Sequence, residues 1–250
     1  NYKFINFDKL TYGGNLNNLK DIQNKKNYRF IKGDVCDLNF LCYLLRDVDC
    51  IFHFAAESHV DHSIGNSLEF TKTNTFGTHV LLEAARFCNV KKVIHISTDE
   101  VYGDILEGSF NEDDKLAPTN PYSASKAAAE MILQGYYKTY KIPLIQVRGC
   151  NNFGPYQYPE KIIPNFITQL LQNKKVPLHG NGSNIRSYIH VSDFCEAADI
   201  IFQKGRIGEK YNISADFEIS NLELTRLILK ELEKDESFIE FVEEDRKSVV

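Results

Sequence analysis

The alternation of short apolar runs with helical apolar patterns most constrains the fold of this chain. Five runs are predicted strands: YKFINF (2–7), YRFIKGD (28–34), CIFHFAA (50–56), KKVIHIS (91–97) and PLIQVRG (143–149). Between them, residues 78–87 have helical apolar spacing, and residues 120–140 are a predicted helix with Asn120 as N-cap and Pro121 next. This alternation is typical of βαβ units, so we predict an α/β fold with a doubly wound parallel sheet.

The proline content and the lengths of the predicted elements change after Gly154. Residues 154–164 hold three of the seven prolines, and shorter predicted elements follow at 187–191, 191–202, 210–214 and 221–233. We therefore predict two regions: a larger first domain over 1–154 and a smaller α/β region over 155–250.

A Rossmann-type nucleotide-binding unit opens with a strand, a glycine-rich turn and a helix, and an acid on the ribose follows about 20 residues later. Asp8 stands at a strand end, where that acid is expected, but only seven residues precede it. GNGSN (180–184) lacks a third glycine and a strand–helix context, and we interpret it as a turn. We expect the first strand, glycine loop and first helix to be absent, because the chain is a fragment or lacks a pyrophosphate cradle.

Composition excludes several classes of function. The net charge is −5 without a block of like charge, which does not favour nucleic-acid binding. No apolar run approaches the roughly 18 residues of a membrane helix, and the N-terminus does not resemble a signal peptide. The six cysteines form no CxxC pair, so we expect a reducing, cytoplasmic location without a zinc site or disulfides. His59 and His62 are possible metal ligands, but no third ligand lies near them in the sequence, so we do not expect a metal site there.

Two adjacent acids follow the fourth predicted strand, in the stretch HISTDEVYGD (95–104). Ligands of open α/β sheets bind at the carboxyl ends of strands. Asp99 and Glu100 there are candidates for a general acid and a general base, and the alternative is an ordinary solvated loop.

Tyrosine and lysine four residues apart share one face of a helix. The spacing occurs three times, as Tyr28/Lys32, Tyr122/Lys126 and Tyr137/Lys141. Only Tyr122 and Lys126 lie at a capped helix start that follows the Ser-Thr-Asp-Glu strand end. A lysine ammonium beside a phenol lowers the pKa of the phenol, so we predict that Tyr122 is a base.

Four segments together resemble the nucleotide-sugar 4,6-dehydratases of the extended short-chain dehydrogenase/reductase superfamily. They are FHFAAESHVDHS (52–63), STDEVYG (97–103), PTNPYSASKAAAE (118–130) and NNFGPYQYPEKIIP (151–164). The similarity extends from about residues 7–16 to 243–246, nearly the whole chain. It implies an NAD-binding Rossmann domain over 1–154 and a substrate-binding region over 155–250.

The resemblance implies a role for each catalytic candidate. Tyr122 takes the proton of the sugar 4-hydroxyl while the C4 hydride passes to NAD, and Lys126 holds the nicotinamide ribose. Glu100 removes the C5 proton, and Asp99 protonates the C6 hydroxyl, which leaves as water. Thr98 hydrogen-bonds the sugar near O4, and NAD acts as a prosthetic group without net redox change.

The resemblance also implies the binding residues. Implied cofactor contacts, besides Tyr122 and Lys126, are Asp8, Lys9, Thr11, Asp34, Val35, Ala55, Ala56, Ser58, Thr73 and Asn152. Implied contacts to the nucleotide sugar are Ser58, Thr98, Asn151, Lys161, Arg186, Asn212 and Arg246. For each of them the alternative is an ordinary surface polar residue.

The resemblance leaves substrate and assembly as expectations. Segments 63–85 and 177–197 look closer to the UDP-glucose enzymes of rhamnose synthesis than to the dTDP-glucose enzymes, so UDP-glucose is favoured. A homodimer packing helices near 71–87 and 121–139 is implied, with Ile132 and Leu133 compatible. Two alternatives remain: a C4 epimerase or decarboxylase on the same scaffold, against which the Asp99–Glu100 pair argues, and a non-catalytic nucleotide-sugar-binding relative.

Overall fold

The structure is a computed structural model of the chain, and it describes residues 2–105 and 107–243. Its strands are β1 (Phe4–Asp8), β2 (Tyr28–Lys32), β3 (Cys50–His53), β4 (Lys92–Thr98), β5 (Leu144–Gly149), β6 (Asn151–Phe153), β7 (Val176–His179), β8 (Ile185–His190), β9 (Lys210–Ile213), β10 (Glu218–Ser220) and β11 (Ile239–Val242). Its α-helices are α1 (Leu38–Leu44), α2 (Val60–Gly65), α3 (Ser67–Phe70), α4 (Gly77–Phe87), α5 (Pro121–Tyr140), α6 (Ile162–Leu171), α7 (Val191–Lys204) and α8 (Asn221–Glu231). A π-helical turn spans Thr71–Phe76, and 3₁₀ turns span Leu16–Leu19, Leu45–Asp47, Asp99–Tyr102 and Glu236–Phe238.

The main sheet has the strand order β3-β4-β5-β9, and all its neighbours are parallel. The central strands β4 and β5 are almost fully buried, which explains why their sequences are continuously apolar rather than alternating. The predicted parallel α/β architecture is confirmed. All five strands predicted in the first region are present, and their ends differ from the predicted ones by at most three residues.

The first two strands form a sheet of their own. β1 and β2 are parallel, and within the described residues neither pairs with β3. Aromatic contacts connect the two sheets, since the Phe202 ring lies 5.6 Å from both Tyr2 and Phe52. The parallel strands therefore occur as two sheets rather than the one that the strand pattern suggests.

The second region has its own core of apolar residues between α6, α8 and two small sheets, β10-β8-β6 and β11-β7. However, β9 comes from this region and pairs with β5 of the main sheet. Phe194 and Ile201 of α7 likewise pack with Ile145 of β5. The chain thus crosses the predicted boundary at residue 154 and returns to the first sheet.

Helix α5 supports the catalytic side of the main sheet. A capping box fixes its start, because Asn120 and Ser123 bond each other's backbone N–H and Pro121 occupies the first helical position. Leu133 is fully buried in the first core, so its apolar character is explained by that core rather than by a subunit interface. Among the described residues, no helix combines the length and the apolar character needed to span a bilayer.

Candidate active site

The two adjacent acids lie on a tight turn at the carboxyl end of β4. Thr98 ends the strand in extended conformation, and its hydroxyl accepts a hydrogen bond from the Glu100 N–H (3.3 Å). Asp99 and Glu100 therefore begin the 3₁₀ turn, and Val101 and Tyr102 anchor that turn in the interior. The Thr98 cap thus holds both carboxylates at the edge of the sheet where α/β proteins bind ligands.

Burial raises the pKa of both carboxyl groups. Burial, followed by the charge of Glu100, raises the pKa of Asp99 to about 6. Burial also raises the pKa of Glu100, although a hydrogen bond from Asn120 Nδ2 (3.2 Å) and the charges of Lys161 and Arg186 oppose it. These environments do not fit the alternative of a solvated loop, and Asp99 can hold a proton close to neutral pH.

The lysine that was predicted to activate Tyr122 points elsewhere in the structure. Lys126 is buried, and its ammonium donates to the Ile96 carbonyl (2.7 Å), while burial lowers the pKa of Lys126 to about 8. Burial, then the charge of Glu100, raises the pKa of Tyr122, and a hydrogen bond with Thr98 counteracts this rise. The pKa of Tyr122 is therefore raised rather than lowered as predicted, and the groups that shift it are Glu100, Thr98 and Asp99 rather than Lys126.

Sequence reasoning missed Asn74, which joins the loop after β3 to α5. Its side-chain carbonyl accepts from the Glu57 N–H (2.8 Å), and its amide donates to the Glu57 carbonyl and to Ser125 Oγ (both 2.9 Å). Asn74 is fully enclosed on the π-helical turn. A single asparagine in a polar stretch gives no sequence signal for this role, because its partners are distant along the chain.

A second missed group lies beneath the catalytic turn. The buried Arg148 forms an ion pair with Glu130 (2.6 Å) and donates to the hydroxyl of Tyr102 (2.5 Å). Tyr102 in turn donates to Asn212 Oδ1 (2.8 Å). This network fixes the far end of the Asp99–Tyr102 turn to β5 and β9.

Several predicted cofactor residues surround one cavity of about 250 Å³. Its lining residues are Asp8, Thr11, Tyr12, Gly13, Gly14, Ala56, Glu57, Ser58, Tyr158 and Glu160. The exposed carboxylate of Asp8 lies at the carboxyl end of β1, the position from which an acid binds a ribose. A second hollow of about 480 Å³ is lined by Asp34 and its neighbours, and Lys9 pairs with Asp34 (2.9 Å).

The remaining cofactor candidates are dispersed around these cavities. Val35 is buried, Thr73 is half-buried on the π-helical turn, and Ala55 is exposed after β3. Asn152 donates to the Cys150 carbonyl (3.1 Å), but its own side-chain oxygen is enclosed without a partner among the described residues. An enclosed acceptor without a partner needs a hydrogen-bond donor, which a bound polar group can supply.

The predicted substrate residues have different partners in the structure. Lys161 and Arg186 act electrostatically on Glu100, and the Lys161 ammonium donates to the Ser58 carbonyl (2.9 Å). Asn151 donates to the Ser187 carbonyl (3.3 Å). Asn212 instead bonds Tyr102 and the Phe110 carbonyl, so its polar atoms already have protein partners, and Arg246 lies outside the described residues.

The chain is similar to proteins of named activity. The family model described as GDP-mannose 4,6 dehydratase matches residues 1–250. The dTDP-D-glucose 4,6-dehydratase of Bos taurus is 46% identical over 239 residues, which cover 95% of this chain and 67% of that protein. A trifunctional UDP-glucose 4,6-dehydratase of Arabidopsis thaliana, which is also an epimerase and reductase, is 46% identical over 97% of this chain and 37% of that protein.

A solved structure is similar over almost the whole chain. DesIV, a dTDP-glucose 4,6-dehydratase from Streptomyces venezuelae with NAD and TYD bound, superposes with a TM-score of 0.96 at 44% identity. The match covers 98% of this chain and 76% of DesIV.

Proposed function

The chain belongs to the GDP-mannose 4,6-dehydratase family, and from this we propose that it dehydrates a nucleoside-diphosphate glucose to the 4-keto-6-deoxy sugar nucleotide. The observation that supports this best is the pair of buried carboxyls, Asp99 and Glu100, beside Tyr122 at the end of β4. Removal of water from adjacent carbons needs both an acid and a base. Relatives named dTDP-glucose and UDP-glucose 4,6-dehydratases support the same reaction class.

The first proposed step is oxidation at C4 of the sugar. Tyr122 takes the proton of the 4-hydroxyl, and Thr98 hydrogen-bonds the phenol and the sugar near O4. NAD, held by the residues around Asp8, Ser58 and Asn152, would supply the hydride chemistry by accepting the C4 hydride and returning it to C6. Lys126, anchored on the Ile96 carbonyl, holds the nicotinamide ribose beside Tyr122.

The second proposed step is the elimination of water. The C4 ketone acidifies the C5 proton, and Glu100 takes that proton. Asp99 gives its proton to the C6 hydroxyl, the C6–O bond breaks and water leaves. C5 is reprotonated when the hydride is added to C6, which completes the 4-keto-6-deoxy sugar. The raised pKa of Asp99, about 6, suits a group that must hold a proton and then release it.

We propose UDP-glucose as the favoured substrate and dTDP-glucose as the next. The sequence basis is the likeness of segments 63–85 and 177–197 to UDP-glucose enzymes. Lys161 and Arg186 provide positive charge for the diphosphate, and the planar guanidinium of arginine donates two hydrogen bonds to phosphate. The relatives include enzymes named for each nucleotide at 46% identity, so identity alone does not separate them.

The testing experiment incubates the protein with NAD and with UDP-glucose or dTDP-glucose in parallel, and mass spectrometry detects loss of one water. A dehydrated product supports the proposal, and the higher kcat/KM identifies the nucleotide. A C4 epimer without dehydration would instead support the alternative of a C4 epimerase. Binding without turnover would favour a nucleotide-sugar-binding protein.

We further propose a homodimer in the cytoplasm. The six cysteines are all free, which suits a reducing compartment. Large apolar side chains remain exposed on the helical segment 67–76 and on α5, including Leu68, Phe76 and Met131. Such side chains support an interface built from these helices.

A further inference from the structure

The fold brings two histidines and a glutamate together at the rim of the 250 Å³ cavity. His59 precedes α2, His62 lies within α2, and Glu160 comes from the segment between β6 and α6. One ligand atom of each residue lies within 4.8 Å of the other two. The histidine rings are 4.4 Å apart. The sequence offered no third ligand for His59 and His62, because Glu160 approaches them only in the folded chain.

Two polar atoms of this cluster are enclosed without a hydrogen-bond partner among the described residues. They are Nδ1 of His59 and Oε2 of Glu160. A buried polar atom without a partner is destabilising by about 1–3 kcal/mol, so two in one cluster require an explanation. A bound cation accepts lone pairs from both atoms and removes this penalty.

The type of ligand atom defines the kind of cation. Two imidazoles and one carboxylate are preferred by zinc and neighbouring divalent transition metals, rather than by magnesium or calcium. Bonds of about 2.0–2.2 Å place tetrahedral ligand atoms roughly 3.4 Å apart, so small side-chain rotations are needed to close the site. We propose that His59, His62 and Glu160 bind one divalent transition-metal cation, with at least one coordination position left for water.

The surroundings of the cluster are compatible with a cation. Asp61 adds negative charge near His59, whereas Lys161 adds positive charge but is bonded to the Ser58 carbonyl (2.9 Å). Tyr12 packs its ring 5.3 Å from His62 and donates to Glu160 Oε1 (3.4 Å), as an outer partner of a metal-ligating carboxylate does. Tyr12 and Glu160 also line the cavity, which gives the ion an entry path.

Occupancy of the site would connect the start of α2 to the 154–161 segment. Because the ion binds the folded chain, saturating zinc is expected to raise the melting temperature. This effect is independent of the dehydratase reaction and is measured without NAD or sugar nucleotide.

The test is a titration of the purified, chelator-treated chain with Co²⁺, followed by visible absorption, and with Zn²⁺, followed by calorimetry. One ion per chain is expected. His62→Asn and Glu160→Gln should each weaken binding at least tenfold and abolish the melting shift. His179→Asn, which changes an exposed histidine on β7, should bind like the wild type. Unchanged binding in both site variants would overturn the proposal.

A second measurement uses the unmodified chain and does not depend on the variants folding. Substoichiometric Co²⁺ should broaden the imidazole NMR signals of His59 and His62 before those of His79, His179 and His190. Uniform broadening of all exposed histidines would show only nonspecific surface binding and would contradict the site.

Discussion

At the scale of single residues, Asp99 and Glu100 are neighbours in sequence with different partners in space. Glu100 accepts a hydrogen bond from Asn120 and lies in the field of Lys161 and Arg186, and these groups favour its charged form. Asp99 is buried next to the charge of Glu100, which favours its protonated form. Burial raises the pKa of both carboxyls, but only Glu100 has cationic and amide partners that oppose this rise, which favours Asp99 as the acid and Glu100 as the base.

Replacing Asp99 by Asn should slow water loss by about 10²–10⁴-fold, because the C6 hydroxyl then has no general acid. C4 oxidation should remain detectable as transient absorbance at 340 nm with the bound nucleotide sugar. Rapid-mixing absorbance and mass spectrometry separate the two steps. Equal losses in both steps would contradict the acid role.

The same side chain predicts a pH-dependent stability difference. The pKa of Asp99 is raised from 3.8 to about 6 in the folded protein, so its protonated form stabilises the fold below pH 3.8 and this stabilisation is lost as the pH rises through about 6. The unfolding free energy of Asp99→Asn minus that of the wild type should therefore increase by about 1–3 kcal/mol as the pH rises from 4 to 8. Urea denaturation measures this, with the exposed Asp216→Asn as control, for which no such gain is expected.

Tyr122→Phe removes the phenolic oxygen and leaves the ring in place. Turnover should fall by about 10²–10⁴-fold with both C4 oxidation and dehydration lost, because no other group takes the 4-hydroxyl proton. Tyr137→Phe is the matched control, since it alters another tyrosine of α5 that also has a lysine four residues later. Undiminished turnover in Tyr122→Phe would remove Tyr122 from the mechanism.

At the scale of elements, the start of α5 connects stability to catalysis. Asn120 caps the helix by accepting from the Ser123 N–H (2.8 Å), and its amide donates to Glu100 (3.2 Å). One side chain therefore fixes both the helix that bears Tyr122 and the carboxylate of Glu100. Ser220 caps α8 with the same kind of capping box, away from the catalytic turn.

Asn120→Ala and Ser220→Ala should each lose about 0.5–2 kcal/mol of unfolding free energy, because each deletes an N-cap. Only Asn120→Ala should also lower kcat, since only Asn120 bonds Glu100. Urea denaturation and steady-state kinetics on both variants make the comparison. Equal kcat in the two variants would restrict Asn120 to capping.

The sequence predicts elements well where the pattern is local. The cap at Asn120, the apolar runs of β4 and β5 and the turn at 180–184 all depend on neighbouring residues, and the structure confirms them. The π-helical turn, the Asn74 bridge and the Arg148–Glu130 pair depend on partners far along the chain. The direction of the Lys126 ammonium is likewise set by the Ile96 carbonyl, so helix spacing alone misassigned its effect on Tyr122.

At the scale of the whole molecule, strand pairing crosses the predicted division at residue 154. The higher proline content after residue 154 marks a change in local composition, but strand pairing decides which sheet a segment joins. Residues 210–213 pair with β5 because their side chains complete the core of Ile145 and Val147. No local pattern distinguishes such a returning strand from one that stays in the second region.

The proposed homodimer is the prediction that concerns the whole molecule. The segment 67–76 is fixed against α5, since Asn74 and Thr75 both bond Ser125 (2.9 Å). Leu68 is 80% exposed and Met131 is 53% exposed on these elements, although each is large and apolar. Burial of such side chains against a second copy would remove apolar surface from water, at about 25 cal/mol per Å².

Light scattering after size exclusion should therefore give twice the chain mass of 28.7 kDa. Leu68→Lys and Met131→Lys should each weaken the dimer at least tenfold, because a lysine ammonium would be desolvated at the interface. Phe241→Lys is the matched control, since Phe241 is also apolar and 60% exposed but lies on β11 of the second region. A monomeric wild type would contradict the dimer. Dissociation caused by Phe241→Lys alone would place the interface elsewhere, because the helical face would then have no measurable part in association.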